Sequence, residues 1–145
     1  MLAEVKLDKI CITIFHVTNA DRSGKQKVLV IGRVQTPQAF RKNKINIDHL
    51  PITYRFNKKT WMLSGLWYEF LRTLDQEMRI ARGNITLLND NYPSHSHPNS
   101  LPENYEGPPP PSLTNITRIY LPPNTCSHLE PLDQGIIASF KSAHC

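Results

Sequence analysis

The sequence predicts an α/β protein, a mixed sheet with helices packed on it, and three observations carry that expectation. Two apolar, β-branched runs stand at hairpin distance near the amino terminus. A central segment then changes to helical spacing. Beyond it, two short strands are separated by a long proline-rich loop, and the second leads into a helix.

The first run, residues 9–18, partly alternates and ends in Asn19-Ala-Asp21 and the turn-like Arg22-Ser-Gly24. The second, residues 27–34, follows closely, so the two are expected to pair antiparallel. Thr36-Pro37 breaks the pattern, and residues 41–59 read as a basic, irregular stretch carrying Arg41, Lys42, Lys44, Arg55, Lys58 and Lys59. From Thr60 to about Arg82, Leu63, Leu66, Trp67, Phe70, Leu71, Leu74 and Met78 recur at helical spacing. Glu69, Arg72, Asp75, Gln76 and Arg79 are assigned to the opposite, polar face, and Gly83-Asn84 is the expected stop. Residues 85–88 form the next strand and run into Asn89-Asp-Asn-Tyr-Pro93. Residues 93–115 hold seven prolines, including 108–111, and read as a long exposed insertion with polyproline character. A strand at 117–121 stops at Pro122-Pro123, and Pro131-Leu-Asp133 sets up a terminal helix.

At 145 residues the chain suits one domain with a modest core. No stretch approaches the roughly 18 apolar residues of a membrane-spanning helix, and the first residues do not read as a signal peptide. Three cysteines without a CxxC pair point to a reduced intracellular protein, with neither a disulfide framework nor a structural zinc site. Charge is unevenly spread. Residues 1–60 hold 12 Lys/Arg against 4 Asp/Glu, a net of +8, whereas residues 61–145 hold 5 against 8, a net of −3. A basic amino-terminal half suits a polyanionic partner, because contacts to phosphates release counterions. From charge alone, a merely solvated surface is the plainer reading.

Two acids stand out by position. Asp90 directly follows an apolar strand, where ligand crevices of open α/β sheets form, and Asp133 begins the terminal helix. Paired carboxylates there could hold Mg²⁺ or Mn²⁺, and two such ions can clamp the attacking and leaving oxygens of a phosphodiester transfer. The plainer alternatives are an Asp-Asn turn after a strand and an ordinary helix cap. His95, His97, Cys126 and His128 match no common zinc spacing. The Ser94-His95 and Ser127-His128 pairs do not make a triad, because adjacency says nothing of spatial geometry.

Four strings add a resemblance. Leu121-Pro-Pro-Asn-Thr-Cys-Ser-His-Leu-Glu-Pro-Leu-Asp-Gln-Gly-Ile-Ile-Ala-Ser-Phe-Lys141 closely resembles the LPPNTTS-LQPLDQGVI-SFK signature of the DDE endonuclease domain of pogo/Tigger/jerky-type transposases. Leu87-Leu-Asn-Asp-Asn-Tyr-Pro-Ser-His95 resembles that family's LLLDNAPSH. Leu50-Pro-Ile-Thr-Tyr-Arg-Phe-Asn-Lys-Lys-Thr-Trp-Met62 is similar to its LP-TY-SNKKAWM stretch, and Val30-Ile-Gly-Arg33 to its LVIGK strand. The strings fall in the family's order and span nearly the whole chain.

The resemblance implies an RNase H-like mixed sheet with flanking helices and, ancestrally, Mg²⁺- or Mn²⁺-dependent DNA strand cleavage and transfer at transposon ends in the nucleus. Asp90 and Asp133 match the family's second and third metal-binding acids, and Asn91 and His95 match supporting positions. The first acid belongs to a strand preceding the one that begins here, so an incomplete sheet, without its first strand and carboxyl-terminal helices, and an inactive fragment are expected. Asp21 resembles a later turn and is not promoted to that acid. Asn89 stands where the family has an apolar strand residue, Glu130 replaces Gln, and Cys126 and His128 replace Thr and Leu. The alternative function is a domesticated, non-catalytic module that binds DNA or protein through the basic 22–59 stretch, with Arg41, Lys42, Lys44, Arg55, Lys58 and Lys59 as the contacts. A weaker one is recruitment of a polyproline reader by residues 108–111.

Overall fold

The computed structural model describes residues 12–19, 26–90, 103, 106–122, 139 and 142. In it the two amino-terminal apolar runs pair antiparallel, as their spacing requires. Strand β1 (Thr13–Phe15) lies against β2 (Val28–Gly32), with Thr13 opposite Ile31 and Phe15 opposite Leu29. Alternation along β2 puts Leu29 and Ile31 into the core.

The expectation of irregular structure over 41–59 needs correction. Those residues include the end of a short helix α1 (Gln38–Lys42), a single 3-10 turn (Ile47–His49) and a strand β3 (Ile52–Phe56). β3 lies parallel to β2, with Val28 opposite Ile52 and Gly32 opposite Phe56, completing a three-stranded sheet ordered β1-β2-β3. The signal was present: Ile52-Thr-Tyr-Arg-Phe is β-branched and aromatic, the composition that favours strands. The cations scattered around it masked it.

The same pairing explains two of the strings. Val30, Gly32, Tyr54 and Phe56 share one sheet face by register. Gly32 leaves room for Tyr54: a Cβ there would lie 2.9 Å from the ring carbon Cζ and closer still to the hydroxyl. The hydroxyl donates to the Val34 carbonyl (2.7 Å), and Phe40 of α1 meets the Tyr54 ring edge-on at 5.4 Å. Burial raises the Tyr54 pKa above the ordinary tyrosine value.

The chain divides into two compact units, Met1–Met62 and Leu63–Cys145. In the second unit, helix α2 (Ser64–Ile80) forms as its spacing predicts. Trp67, Tyr68, Leu71, Leu74 and Asp75 are its buried residues, and Trp67 stacks on Phe70 at 5.6 Å. Asp75 was expected on the polar face and is instead 2% exposed. The left-handed residue that ends the helix is Arg82 (φ 54°), not Gly83, and Gly83 N–H closes onto the Met78 carbonyl.

Strands β4 (Ile85–Asn89) and β5 (Ile116–Tyr120) pair in parallel, with Ile85 opposite Ile116 and Asn89 opposite Tyr120. Mixed α/β architecture is thus observed. Ser139 and Ser142 are helical, with the Ser142 hydroxyl donating to the Ser139 carbonyl. The rest of the expected terminal helix lies outside the described residues. Among the described residues, no helix is long and apolar enough to cross a membrane.

Candidate functional site

Asp90 is positioned by the register of β4 on β5, and that register is set at the opposite end of the pair. Asp75 Oδ1 accepts the backbone N–H groups of Thr114 (3.0 Å) and Asn115 (2.8 Å), and Oδ2 accepts from the Thr114 hydroxyl and from Arg79 (2.8 Å). Asn115 in turn donates its side-chain amide to the Gly83 carbonyl (2.8 Å) and its carbonyl accepts from Ile85 N–H (2.9 Å). One buried carboxylate therefore links the helix, the turn before β4 and the entry to β5. The Asn115 N–H bond chiefly, with Arg79 and Thr114 adding to it against the opposing effect of burial, holds the Asp75 pKa below the usual carboxylate value.

The proline-rich segment joins this anchorage. Arg72 donates to the Pro109 carbonyl at 3.0 Å, and Pro108 lies beside Gly65 of α2. Residues 106–109 are exposed, whereas Pro110 and Pro111 are half-buried.

At the carboxyl end of the pair, Leu121 N–H donates to the Asn89 carbonyl at 2.8 Å, and half-buried Asp90 follows. This is the end at which open parallel sheets place their ligands. Asn89 is 4% exposed, and neither polar atom of its side-chain amide has a hydrogen-bond partner among the described residues. Asn89 thus sets two desolvated polar atoms beside the candidate acid. Arg118 and Tyr120 occupy the same face of the pair by register. The Arg118 guanidinium lies 5.8 Å from the Tyr120 ring centre, and its Nη1 is buried with no partner among the described residues. Burial raises the Tyr120 pKa, and the Arg118 charge opposes that rise.

Asp133, Asn91 and His95 lie outside the described residues. Among the described residues, no three His, Cys, Asp or Glu side chains come together as a metal-ligating group. Asp90 offers the hard carboxylate oxygen that Mg²⁺ and Mn²⁺ take.

The six cations belong to the first unit. Arg41 and Lys42 occupy the last turn of α1, where they complement its carbonyl end, and Lys44 follows with φ 51°. Arg55 is half-buried on β3 and donates to the Tyr54 carbonyl at 2.9 Å. Lys58 and Lys59 are exposed in the turn after β3. An open groove of about 490 Å³ in the same unit is lined by Asn46, Asp48, Tyr54, Arg55 and Phe56 among others. It takes in one carboxylate and only one of the six cations, so it does not gather them.

Asp75 and Trp61 do not stand out in the sequence. The first looked like any polar residue in a helix. The second appeared only as a letter in a matching string, although an aromatic beside two lysines is a recognisable nucleic-acid signal.

The sequence model of the DDE superfamily endonucleases matches residues 9–144. Tigger transposable element-derived protein 4 of Mus musculus is 28% identical over 97% of this chain and 25% of its own length. CENP-B homolog protein 2 of Schizosaccharomyces pombe is 30% identical over 93% of this chain and 25% of its length. The Jerky protein of Mus musculus is 28% identical over 93% of this chain and 23% of its length. The chain therefore spans about a quarter of the length of the curated relatives it matches. No solved structure matches it. The chain belongs to the DDE superfamily endonucleases.

Proposed function

We propose that this member of the DDE superfamily endonucleases is a DNA-handling domain of RNase H-like fold, with Asp90 and Asp133 as two of its metal-binding acids. The observation that carries the reading is the place of Asp90, one residue past β4 at the carboxyl end of a parallel pair, in a chain matched by the family over 9–144. Bound Mg²⁺ or Mn²⁺ would supply charge stabilisation to the attacking and leaving oxygens of a phosphodiester. Asp90 and Asp133 would hold it, with Asn91 and His95 in support, while the cations of the first unit draw in and retain the DNA backbone. A DNA-acting protein of this family would work in the nucleus.

Asp90 and Asp133 are two of the three acids that the resemblance implies. Incubation with nicked or hairpin transposon-end DNA and Mn²⁺ tests the reading, alongside a binding titration at low and high salt. Binding that weakens with salt is the expected outcome, and any metal-dependent cleavage should be lost in Asp90→Ala. Cleavage that survives Asp90→Ala would overturn the metal-site reading, and an absence of binding at low salt would overturn the DNA reading altogether.

A second reading, a domesticated module that binds DNA or protein without catalysis, is favoured by the exposure of Arg41, Lys42, Lys44, Lys58 and Lys59. It predicts that binding is indifferent to divalent ions and to Asp90→Asn.

A further inference from the structure

We propose that the 57–61 turn is a docking point for an unpaired nucleotide, with Trp61 as a stacking platform and Lys58 and Lys59 as phosphate contacts. The inference rests on the nucleic-acid reading above and adds the form of nucleic acid and the residue that selects it.

One asparagine builds the turn. Asn57 Oδ1 accepts from Lys59 N–H (3.1 Å) and Trp61 N–H (3.2 Å), while its Nδ2 donates to the Trp61 carbonyl (2.8 Å). Its own backbone N–H donates to the Gly32 carbonyl (3.0 Å), and its carbonyl accepts from Thr60 N–H (3.0 Å). The main chain on both sides of Trp61 is therefore held by one side chain, and the turn is tied to the carboxyl end of β2. β2 and β3 are parallel and both end here, the position at which α/β sheets present ligands.

Thr60 takes a left-handed backbone (φ 57°), which costs a β-branched residue about 1–2 kcal/mol, and turns inward to 6% exposure. Trp61 is left 56% exposed, against 2% for Trp67, the second of the two tryptophans. Lys59 Nζ stands 5.7 Å from the centre of the Trp61 ring, and Lys58 is exposed beside it. A fixed, open indole with cations beside it suits a base stacked on the ring and its phosphates paired with the lysines. In a continuous duplex both faces of each base are covered by neighbouring bases. An unpaired nucleotide is the form that offers a free face.

The test uses the full chain, titrated with single-stranded oligothymidylate and with a hairpin duplex while tryptophan fluorescence is followed. We expect the single strand to quench Trp61 and to shield it from iodide. Trp61→Ala should weaken single-strand binding about tenfold or more and leave duplex binding unchanged, while Trp61→Phe retains most of the affinity. Lys58→Ala with Lys59→Ala should weaken both forms and lower the salt slope. Equal binding of both forms by wild type and Trp61→Ala would overturn the proposal while leaving the DNA reading intact. Loss of self-association in Trp61→Ala, without any change in single-strand binding, would overturn it too and reassign Trp61 to a protein contact. No binding of either form at low salt would remove both readings together. If Trp61→Ala fails to fold, the wild-type iodide measurement and Trp61→Phe still decide: an absence of shielding overturns the proposal.

Discussion

The two units use polar groups in opposite ways. In the unit formed by residues 1–62, net charge +8, the notable polar side chains point outward: Arg41, Lys42, Lys44, Lys58 and Lys59 are exposed around a sheet that buries Leu29 and Ile31 on one face and Tyr54 on the other. In the unit formed by residues 63–145, net charge −3, they are inside. Asp75, Asn89 and the Nη1 of Arg118 are all buried. Exposed cations scarcely affect the fold and can be kept for a partner, because water solvates them already. Buried polar groups must be matched or they cost stability. The Asp75 carboxylate is matched four times and fixes a strand register, whereas the Asn89 side-chain amide has no hydrogen-bond partner among the described residues.

The sharpest way to break the first unit lies in its apolar interlock, not its charges. Gly32→Ala drives a methyl group into the Tyr54 ring and should cost about 3 kcal/mol, the upper part of the overpacking range, read as a lower urea midpoint. Since the hydroxyl is the nearest atom, Tyr54→Phe in the same chain should recover part of that loss. A strictly additive double variant would show that the contact is not responsible.

In the second unit the comparison predicts a gain. Asn89→Leu keeps the branching and heavy-atom count of the side chain while removing two buried polar atoms that have no partner among the described residues, and should stabilise the chain by about 1–3 kcal/mol. A lower denaturation midpoint for this variant would mean that Asn89 has a partner it needs.

A smaller effect should follow pH. The folded Asp75 has a pKa below its unfolded value of about 3.8, so its ionised form is favoured by folding. That contribution is complete above the unfolded pKa and is lost as pH falls through the folded one. Asp75→Asn keeps an oxygen to accept from Thr114 and Asn115 but carries no charge. The stability gap between wild type and Asp75→Asn should therefore be widest near neutral pH and close in acid. A gap that stays constant down to about pH 2 would contradict this.

The smallest effect on stability, and the most specific one on binding, belongs to the exposed cations. Lys58→Ala with Lys59→Ala should leave the unfolding free energy within about 0.5 kcal/mol of wild type and reduce the slope of log affinity against log salt by roughly 1–2. Arg82→Ala in the second unit, equally exposed, should change neither.

Much of the fold was legible. Helix α2 and strands β1, β2, β4 and β5 follow from apolar periodicity, since burial of one face is what makes each element stable. β3 was not, because its parallel partner is reached only through a crossover and its flanking lysines blur the pattern. Asp90 was placed correctly after its strand by pattern alone. The role of Asp75 was invisible, because its partners lie 39 and 40 residues away.

The sequence by itself determined the family, most of the element types, the charge asymmetry and the candidate acids, all of which depend on residue identity and local spacing. Tertiary structure decided the rest. It made Gly32 the seat of Tyr54, turned Asp75 inward to hold β5 on β4, left Asn89 desolvated, and set Trp61 facing solvent on a turn pinned by Asn57. Whether a polar or aromatic group is matched, stranded or presented depends on which distant backbone arrives beside it. Local sequence cannot specify that, because the same side chain is favourable with a partner and costly without one.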